Sequence, residues 1–374
     1  MKQKRKVLLS IILIISIIVL SLFGTYLGII ISRKSQTNNL DFSPLSQCAD
    51  KTILLIGDGM GENHINATST FYEKEMFMTT FEAKGYVSTF SNELFVPTDS
   101  AAAASSLATG QKFNNGEISR HNGKDVQTIS EYSKSLGIGV GIVTTDNLYG
   151  ATPAGFSSHA NNRGDHEEII NGQLNSNIDL FLGRGKDAYE PYKLSIENKG
   201  YLYSNDLSTL SINDSKVFGC FSQIVSKNGT NIAPTLEMLT EFAIDFFEEN
   251  FPDGYFLMIE GAHIDKSSHS NNILDMMEYL NSFDASIRVA HNKLFSQNDV
   301  ALIVTADHET GGLKNTDIKT EITNSLYTQT GHTSKDVPYF IYLNPSKSVN
   351  IKDIIKNKID NTDIFKLCKN LISK

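Results

Sequence analysis

Cysteine is scarce in this chain. The three present, Cys48, Cys220 and Cys368, are far apart and odd in number. A disulfide framework and a paired-cysteine metal site are both excluded, since neither an even set nor a C-x-x-C spacing exists. Internal repeats and low-complexity tracts are missing, so repeat and fibrous architectures are excluded as well. The one glycine-rich turn, Ile56-Gly57-Asp58-Gly59-Met60-Gly61, is not the G-x-G-x-x-G fingerprint with its acidic partner, which disfavours a Rossmann nucleotide site. Positive charge is in deficit: 33 Lys and Arg against 42 Asp and Glu leave a net charge of −9. Four of those cations, Lys2, Lys4, Arg5 and Lys6, crowd the amino terminus, so the remainder is more acidic still. A nucleic acid is therefore not an expected partner.

Charge of either sign is absent from Val7 to Ser32. That run exceeds the roughly 20 residues a helix needs to span a bilayer and the apolar core of about 7–15 residues of a cleaved signal. The leading cations outnumber Arg33 and Lys34, which holds the amino terminus in the cytoplasm. The expected organisation is a cytoplasmic stretch 1–6, a signal-anchor transmembrane helix 7–32, a polar linker 33–50 and a single domain 51–374 outside the cell membrane. Secretion after cleavage is the alternative.

What is present beyond residue 50 is a series of short apolar runs. Lys51 to Gly57, Gly137 to Thr144, Tyr255 to Ile259, Val300 to Thr305 and Pro338 to Leu343 read as buried strands, and Tyr86 to Phe90 as a weaker one. Helical patterns fall between them: Ala101 to Ala108, Thr235 to Glu249 (Met238, Leu239, Phe242, Phe246 and Phe247 on one side), and Asn271 to Phe295. Alternating strands and helices predict a doubly wound α/β fold, a mostly parallel central sheet with helices on both faces. Residues 165–232 are rich in Asn and Ser and weakly patterned, and read as a loop-rich insertion. Ligands of such sheets bind beyond the carboxyl ends of the strands. There the sequence places Asp58, Thr152 and Arg163, Glu260, and the pair Asp307 and His308, each after a different strand or at its end.

Four motifs carry chemistry. Pro97-Thr98-Asp99-Ser100-Ala101-Ala102 sets a serine at a helix start, where free N–H groups and the helix dipole favour an anion; taken alone it is an ordinary N-cap. Glu260-Gly-Ala-His263-Ile-Asp265-Lys266-Ser-Ser-His269 places Asp265 and His269 on one helical face, with ligand types suited to zinc; alone it is a surface pair. His263 reads as packing or surface. Thr305-Ala-Asp307-His308-Glu309-Thr-Gly311-Gly312 brings adjacent ligands to one cavity only if the strand has ended, as the two glycines suggest; Glu309 reads as solvated. Thr330-Gly-His332-Thr adds a histidine in a loop.

Together with Asp58-Gly-Met-Gly and Ala151-Thr152-Pro-Ala, these motifs resemble, in order, those of the alkaline phosphatase family over about residues 51 to 345. The resemblance implies hydrolysis of a broad range of small phosphate monoesters through a phosphoseryl intermediate on Ser100. It implies one zinc on Asp265, His269 and His332, a second on Asp58, Asp307, His308 and the Ser100 oxygen, and magnesium on Asp58, Thr152 and Glu260. Arg163 would grip the phosphate with its planar fork, Lys266 would reach phosphate through water or stay solvated, and the protein would be a homodimer. One departure stands out: Gly150 occupies a position beside the magnesium site where many relatives carry Asp or His. Related two-metal phosphodiesterases or phosphoglycerate mutases are the competing enzymes, and a catalytically dead surface protein the competing class. The Cys/Ser-x-Pro-x-Arg core of a sulfatase is absent.

Overall fold

The computed structural model describes residues 11–26, 28, 40–315 and 321–373, and its contacts divide the chain into two units, 1–40 and Asp41–Lys374. In the first unit residues 11–26 are helical; apart from Gly28, the rest of the expected 7–32 helix lies outside the described residues. Among the described residues no helix is long and apolar enough to cross a membrane.

The second unit is built on a ten-stranded sheet. In chain order its strands are β1 (Lys51–Gly57), β2 (Ala83–Ser88), β3 (Gly139–Asn147), β4 (Leu180–Arg184), β5 (Leu202–Ser204), β6 (Val217–Phe221), β7 (Tyr255–Gly261), β8 (Val300–Thr305), β9 (Val337–Asn344) and β10 (Lys358–Asp360). Their spatial order is β10-β2-β9-β8-β1-β7-β3-β4-β6-β5. Only β9 runs against the others, pairing antiparallel with β8 and β2. β1 and β8 begin and end where their apolar runs do, because a strand buried on both faces must be apolar throughout.

The principal helices are α1 (Glu62–Phe71), α2 (Ser100–Thr109), α3 (Ile129–Ser135), α4 (Ala151–Ser157), α5 (His166–Asn175), α6 (Leu236–Asn250), α7 (His263–His269), α8 (Ile273–Leu294) and α9 (Asn361–Ile372). Successive residues of a strand point to opposite faces. On β7, Tyr255 stacks on Phe247 of α6, with ring centroids 4.9 Å apart, while Phe256 meets Phe156 of α4. Helices therefore cover both sides, as the alternating pattern requires. Thr235 and Asn272 cap α6 and α8 by accepting from the N–H of Met238 and Asp275. Met238 and Phe242 are only half-buried, so the buried side of α6 is narrower than its apolar pattern.

Residues 165–232 are not a loop-rich insertion. They supply α5 and the strands β4, β6 and β5, which complete one end of the sheet. These strands have three to five residues each, too few for a periodic signal to rise above Asn- and Ser-rich connections.

Register fixes the working end. Ile56 pairs with Thr305 on one side and Glu260 on the other, and Glu260 pairs with Thr144. The carboxyl ends of β8, β1, β7 and β3 thus stand side by side.

Candidate active site

β1 ends in Asp58-Gly59. Gly59 has φ +72°, and a Cβ there would lie 2.9 Å from the Cα and Cβ of Asp265 and from Thr310 Oγ1. Only glycine allows this turn to lie so close to α7. The Gly59 N–H donates to Asp307 Oδ1 at 3.1 Å, and the His308 N–H donates to the same oxygen at 2.9 Å. β8 has indeed ended at Thr305, and Gly311 and Gly312 turn the chain at φ +83° and +59°. A two-stranded ribbon follows, in which Thr310 pairs with His332.

Ser100 is not the cap of its helix. Asp99 is, with extended backbone and Oδ1 accepting from the Ala102 N–H at 2.9 Å; Ser100 is the first helical residue. A carboxylate at the cap satisfies an orphan N–H and suits the dipole. It leaves the serine hydroxyl free to face the cluster, 3.2 Å from His308 Nε2. The other Asp99 oxygen accepts from Gly116 N–H at 3.1 Å and from Arg163 Nη1 at 3.2 Å. Arg163 is 43 % exposed, at the rim, and Asp99 is its ion-pair partner.

Three imidazoles point the same nitrogen inward. His269 Nδ1 lies against Thr330 O, and His332 Nδ1 lies 2.8 Å from Thr98 O. A carbonyl accepts, so each Nδ1 carries hydrogen. Thr310 Oγ1 donates to Asp265, so it accepts from His308 Nδ1 at 3.2 Å. Each neutral ring then turns its Nε2 lone pair into the cavity, an orientation that outer partners commonly impose on metal-bound histidines. The Nε2 atoms of His269 and His332 stand 3.1 Å apart. Two lone pairs so opposed require a cation or a proton between them. Asp265 Oδ1 is 3.3 Å from His269 Nε2 and 3.7 Å from His332 Nε2; His308 Nε2 is 3.6 Å from Asp58 and 3.3 Å from Asp307 Oδ2. Ligands of a tetrahedral zinc about 2.0–2.1 Å from the ion lie roughly 3.3 Å from one another.

Burial and mutual repulsion shape the charges. Burial, then the charges of Asp307 and Asp265, push Asp58 well above the ordinary carboxylate range. Burial and Asp146 push Glu260 up to about 8, and burial and Asp265 push Asp307 up to about 6. Asp265 is buried too, but its hydrogen bond with His269, formed when that ring takes up a second proton in the metal-free site, and the charge of a protonated His308 outweigh burial and hold it low. Burial lowers His308 to about 4 and also lowers His332, whereas its hydrogen bond with Asp265 raises His269. Asp58 Oδ1, Asp307 Oδ2 and Thr152 Oγ1 are buried with no hydrogen-bond partner. Buried polar atoms are rarely left so. An acidic cluster with orphaned oxygens and converging lone pairs fits divalent cations.

The structure gathers Asp265, His269 and His332 into one group of converging ligand atoms, and Asp58, Asp265 and His308 into a second. Asp265 thus faces both. Glu260 accepts from Thr144 Oγ1. One reading of the sequence needs correction. Glu309 is buried, 2 % exposed, because the ribbon folds over it and it accepts from Leu313 N–H and Thr333 Oγ1. Lys266 is exposed to solvent, and its ammonium is ion-paired with Asp146. His263 packs as expected, its ring 4.7 Å from that of Tyr279. Sequence reasoning passed over Thr310 and Thr144, which orient the ligands. No motif marks a hydroxyl whose role depends on which two loops meet at it. The sequence reading assigns the cap to Ser100, so neither the capping by Asp99 nor its hold on Arg163 is foreseen there.

Comparisons with known proteins point to one family. The family model for alkaline phosphatase matches residues 49–200 and 198–366. Alkaline phosphatase 3 of Bacillus subtilis is 31 % identical over 284 residues, 70 % of this chain and 61 % of that protein. Alkaline phosphatase 4 of the same organism is 30 % identical over 326 residues, 81 % of this chain and 70 % of that protein. The solved alkaline phosphatase of the Antarctic bacterium TAB5 superposes with a TM-score of 0.75 at 28 % identity, covering 87 % of this chain and 98 % of that one. A variant of that enzyme, described with Mg bound in the M3 site, matches with a TM-score of 0.75 at 27 % identity, covering 87 % and 99 %. The chain belongs to the alkaline phosphatase family.

Proposed function

We propose that this protein is an alkaline phosphatase, which hydrolyses phosphate monoesters to alcohol and inorganic phosphate through a phosphoseryl intermediate on Ser100. The observation that carries the reading is the gathering of three imidazole lone pairs with the carboxylates of Asp58, Asp265 and Asp307, one of those lone pairs, on His308, lying 3.2 Å from the buried Ser100 hydroxyl. Asp265, His269 and His332 would hold one zinc; Asp58, Asp307, His308 and the Ser100 oxygen the second; Asp58, Thr152 and Glu260 a magnesium. When bound, these cations supply Lewis-acid stabilisation of the charge that develops on the attacking and leaving oxygens.

The chain's own groups do the rest. Ser100 Oγ gives up its proton and bonds to phosphorus as the bond from phosphorus to the ester oxygen breaks and that oxygen takes up a proton. Water then forms a new bond to phosphorus as the Ser100–phosphate bond breaks, releasing inorganic phosphate and returning a proton to Ser100 Oγ. Arg163, held at the rim by Asp99, presents a planar fork to two phosphate oxygens. All these groups address the phosphoryl end, so the alcohol portion is free to vary and a broad range of small monoesters is expected. The test compares an aryl phosphate, an aryl phosphodiester and an aryl sulfate on the purified full chain, with and without chelator. Chelator-sensitive monoester cleavage should dominate; dominant diester cleavage would shift the reading to a phosphodiesterase.

Arg163→Lys should lower kcat/KM by roughly one to two orders of magnitude, mostly through KM. A charge-assisted hydrogen bond of about 1.5–3 kcal/mol is lost with the second arm of the fork. Steady-state kinetics and inhibition by inorganic phosphate check it, and an unchanged phosphate affinity would remove Arg163 from the site. We also propose that 7–32 anchors the protein in the cell membrane with 51–374 outside. Protease added to intact cells should then digest the catalytic region, and full protection would overturn that placement.

A further inference from the structure

Asp146 lies on the last residues of β3 and belongs to none of the ligand groups described above. Its N–H donates to Thr144 Oγ1 at 2.8 Å, and that hydroxyl in turn donates to the Glu260 carboxylate. Its Oδ1 receives the ammonium of Lys266, the residue next to Asp265. The pair is unequal: the Lys266 side chain is 41 % exposed and that of Asp146 19 %. The carboxylate is thus the fixed partner and the lysine the one it restrains. The second oxygen is still more telling. A Cβ on Gly150 would lie 2.7 Å from Asp146 Oδ2, and 2.9 Å from the carbonyl of Asn147.

Gly150 is the residue before α4, the helix that carries Thr152. Its backbone, φ −60° and ψ 161°, is open to any amino acid. Conformation therefore does not explain the glycine; space does. A side chain at 150 would occupy the volume that Asp146 fills.

We infer that Asp146 is a positioning residue for the third cation site: it is tied to Glu260 through Thr144, lies against Gly150 two residues before Thr152, fixes Lys266 there, and depends on Gly150 for room. The inference rests on the reading of Asp58, Thr152 and Glu260 as magnesium ligands. Asp146 touches neither phosphorus nor, in this assignment, the ion. Its effect passes through Lys266 and the Thr144–Glu260 pair, as outer-sphere groups commonly act on metal affinity.

The test is a double-mutant cycle on the full chain: Asp146→Gly, Gly150→Asp and the two together, with Asp146→Asn as the conservative variant. Magnesium affinity of the zinc-loaded protein is measured by calorimetry, and the melting temperature of the metal-free protein separately. Each single variant should weaken magnesium binding about tenfold or more with zinc content unchanged. Gly150→Asp should also lower the metal-free melting temperature, since two carboxylates then compete for one space. The double variant should recover magnesium affinity to within about threefold and recover the melting temperature, because contacting sites are not additive. Asp146→Asn should keep the metal-free melting temperature but lose magnesium affinity, a split that a merely space-filling role would not produce. Singles that bind magnesium like the parent, or a double variant as impaired as the sum of the singles, would overturn the inference while leaving the proposed function intact. A parent chain that takes up no magnesium would overturn both.

Discussion

Ser100→Ala should reduce kcat/KM for an aryl phosphate by at least roughly 10⁴-fold, leaving the fold and the metal content in place. The size of the effect follows from covalent catalysis: when the nucleophile goes, only binding and electrostatic stabilisation remain. The survival of the fold follows from the local structure. Asp99, not Ser100, caps α2, so alanine at the first helical position disturbs neither the Ala102 hydrogen bond nor the hold on Arg163. What disappears is one hydroxyl facing His308 Nε2, and His308, Asp58 and Asp307 remain. Kinetics paired with elemental analysis decides the matter. Turnover near that of the parent would take Ser100 out of its role, and loss of zinc together with activity would make it chiefly a ligand.

Stripping divalent cations should abolish activity and expose a pH dependence of stability that the loaded protein lacks. In the metal-free fold Asp58, Glu260 and Asp307 hold protons more tightly than they would in an unfolded chain, Glu260 up to about 8 and Asp307 up to about 6. A group with a raised native pKa binds more protons folded than unfolded, so stability falls as pH rises through the interval between the two values. The histidines act the other way. His308 and His64 are lowered to about 4 by burial, and each costs stability as pH drops below its unfolded value near 6.5. The opposing slopes meet between about pH 4 and 6.5. Above that, the carboxyls act together with His269 and His159, both raised above the ordinary imidazole value, and all of them lower stability as pH rises. The metal-free protein should therefore lose melting temperature between about pH 6.5 and 8, on the order of 5 °C. Zinc and magnesium, which bind only the deprotonated ligands, should remove that decline and restore activity. Scanning calorimetry of chelated and reloaded protein across pH 5–9 checks it. A flat metal-free profile from pH 6.5 to 8 would show that these carboxyls are not forced together as described.

Much of this was legible in the residues because the fold delivers its ligands in a readable way. β1 and β8 are bounded by their own apolar runs, and each is followed at once by a ligand, Asp58 after one and Asp307 with His308 after the other. Glu260 ends its apolar run, and Asp265 and His269 share the face of a helix that does form. Features made by two distant segments meeting were not legible. Glu309 is polar by type and buried by circumstance, since it is enclosed where its own pairing with Thr333 and the Leu313 N–H meet the turn at Gly61. Asp146 looks like any strand-end carboxylate until its distance to Gly150 is measured. The short strands β4, β5 and β6 are held by their neighbours in the sheet rather than by pattern of their own.

The reversed strand has a consequence for how the last imidazole arrives. Val304 pairs with Phe340 and Val300 with Asn344, so β9 starts where β8 finishes. His332 precedes β9 by five residues and is therefore set down at the carboxyl end of β8 with hardly any chain to spare. Laid in the same sense as its neighbours, an eight-residue strand would begin about 25 Å away, and a long overhanging return would be needed to carry the histidine home. A single change of direction substitutes for that return, and couples the seating of His332 to the zipping of β9 between β8 and β2.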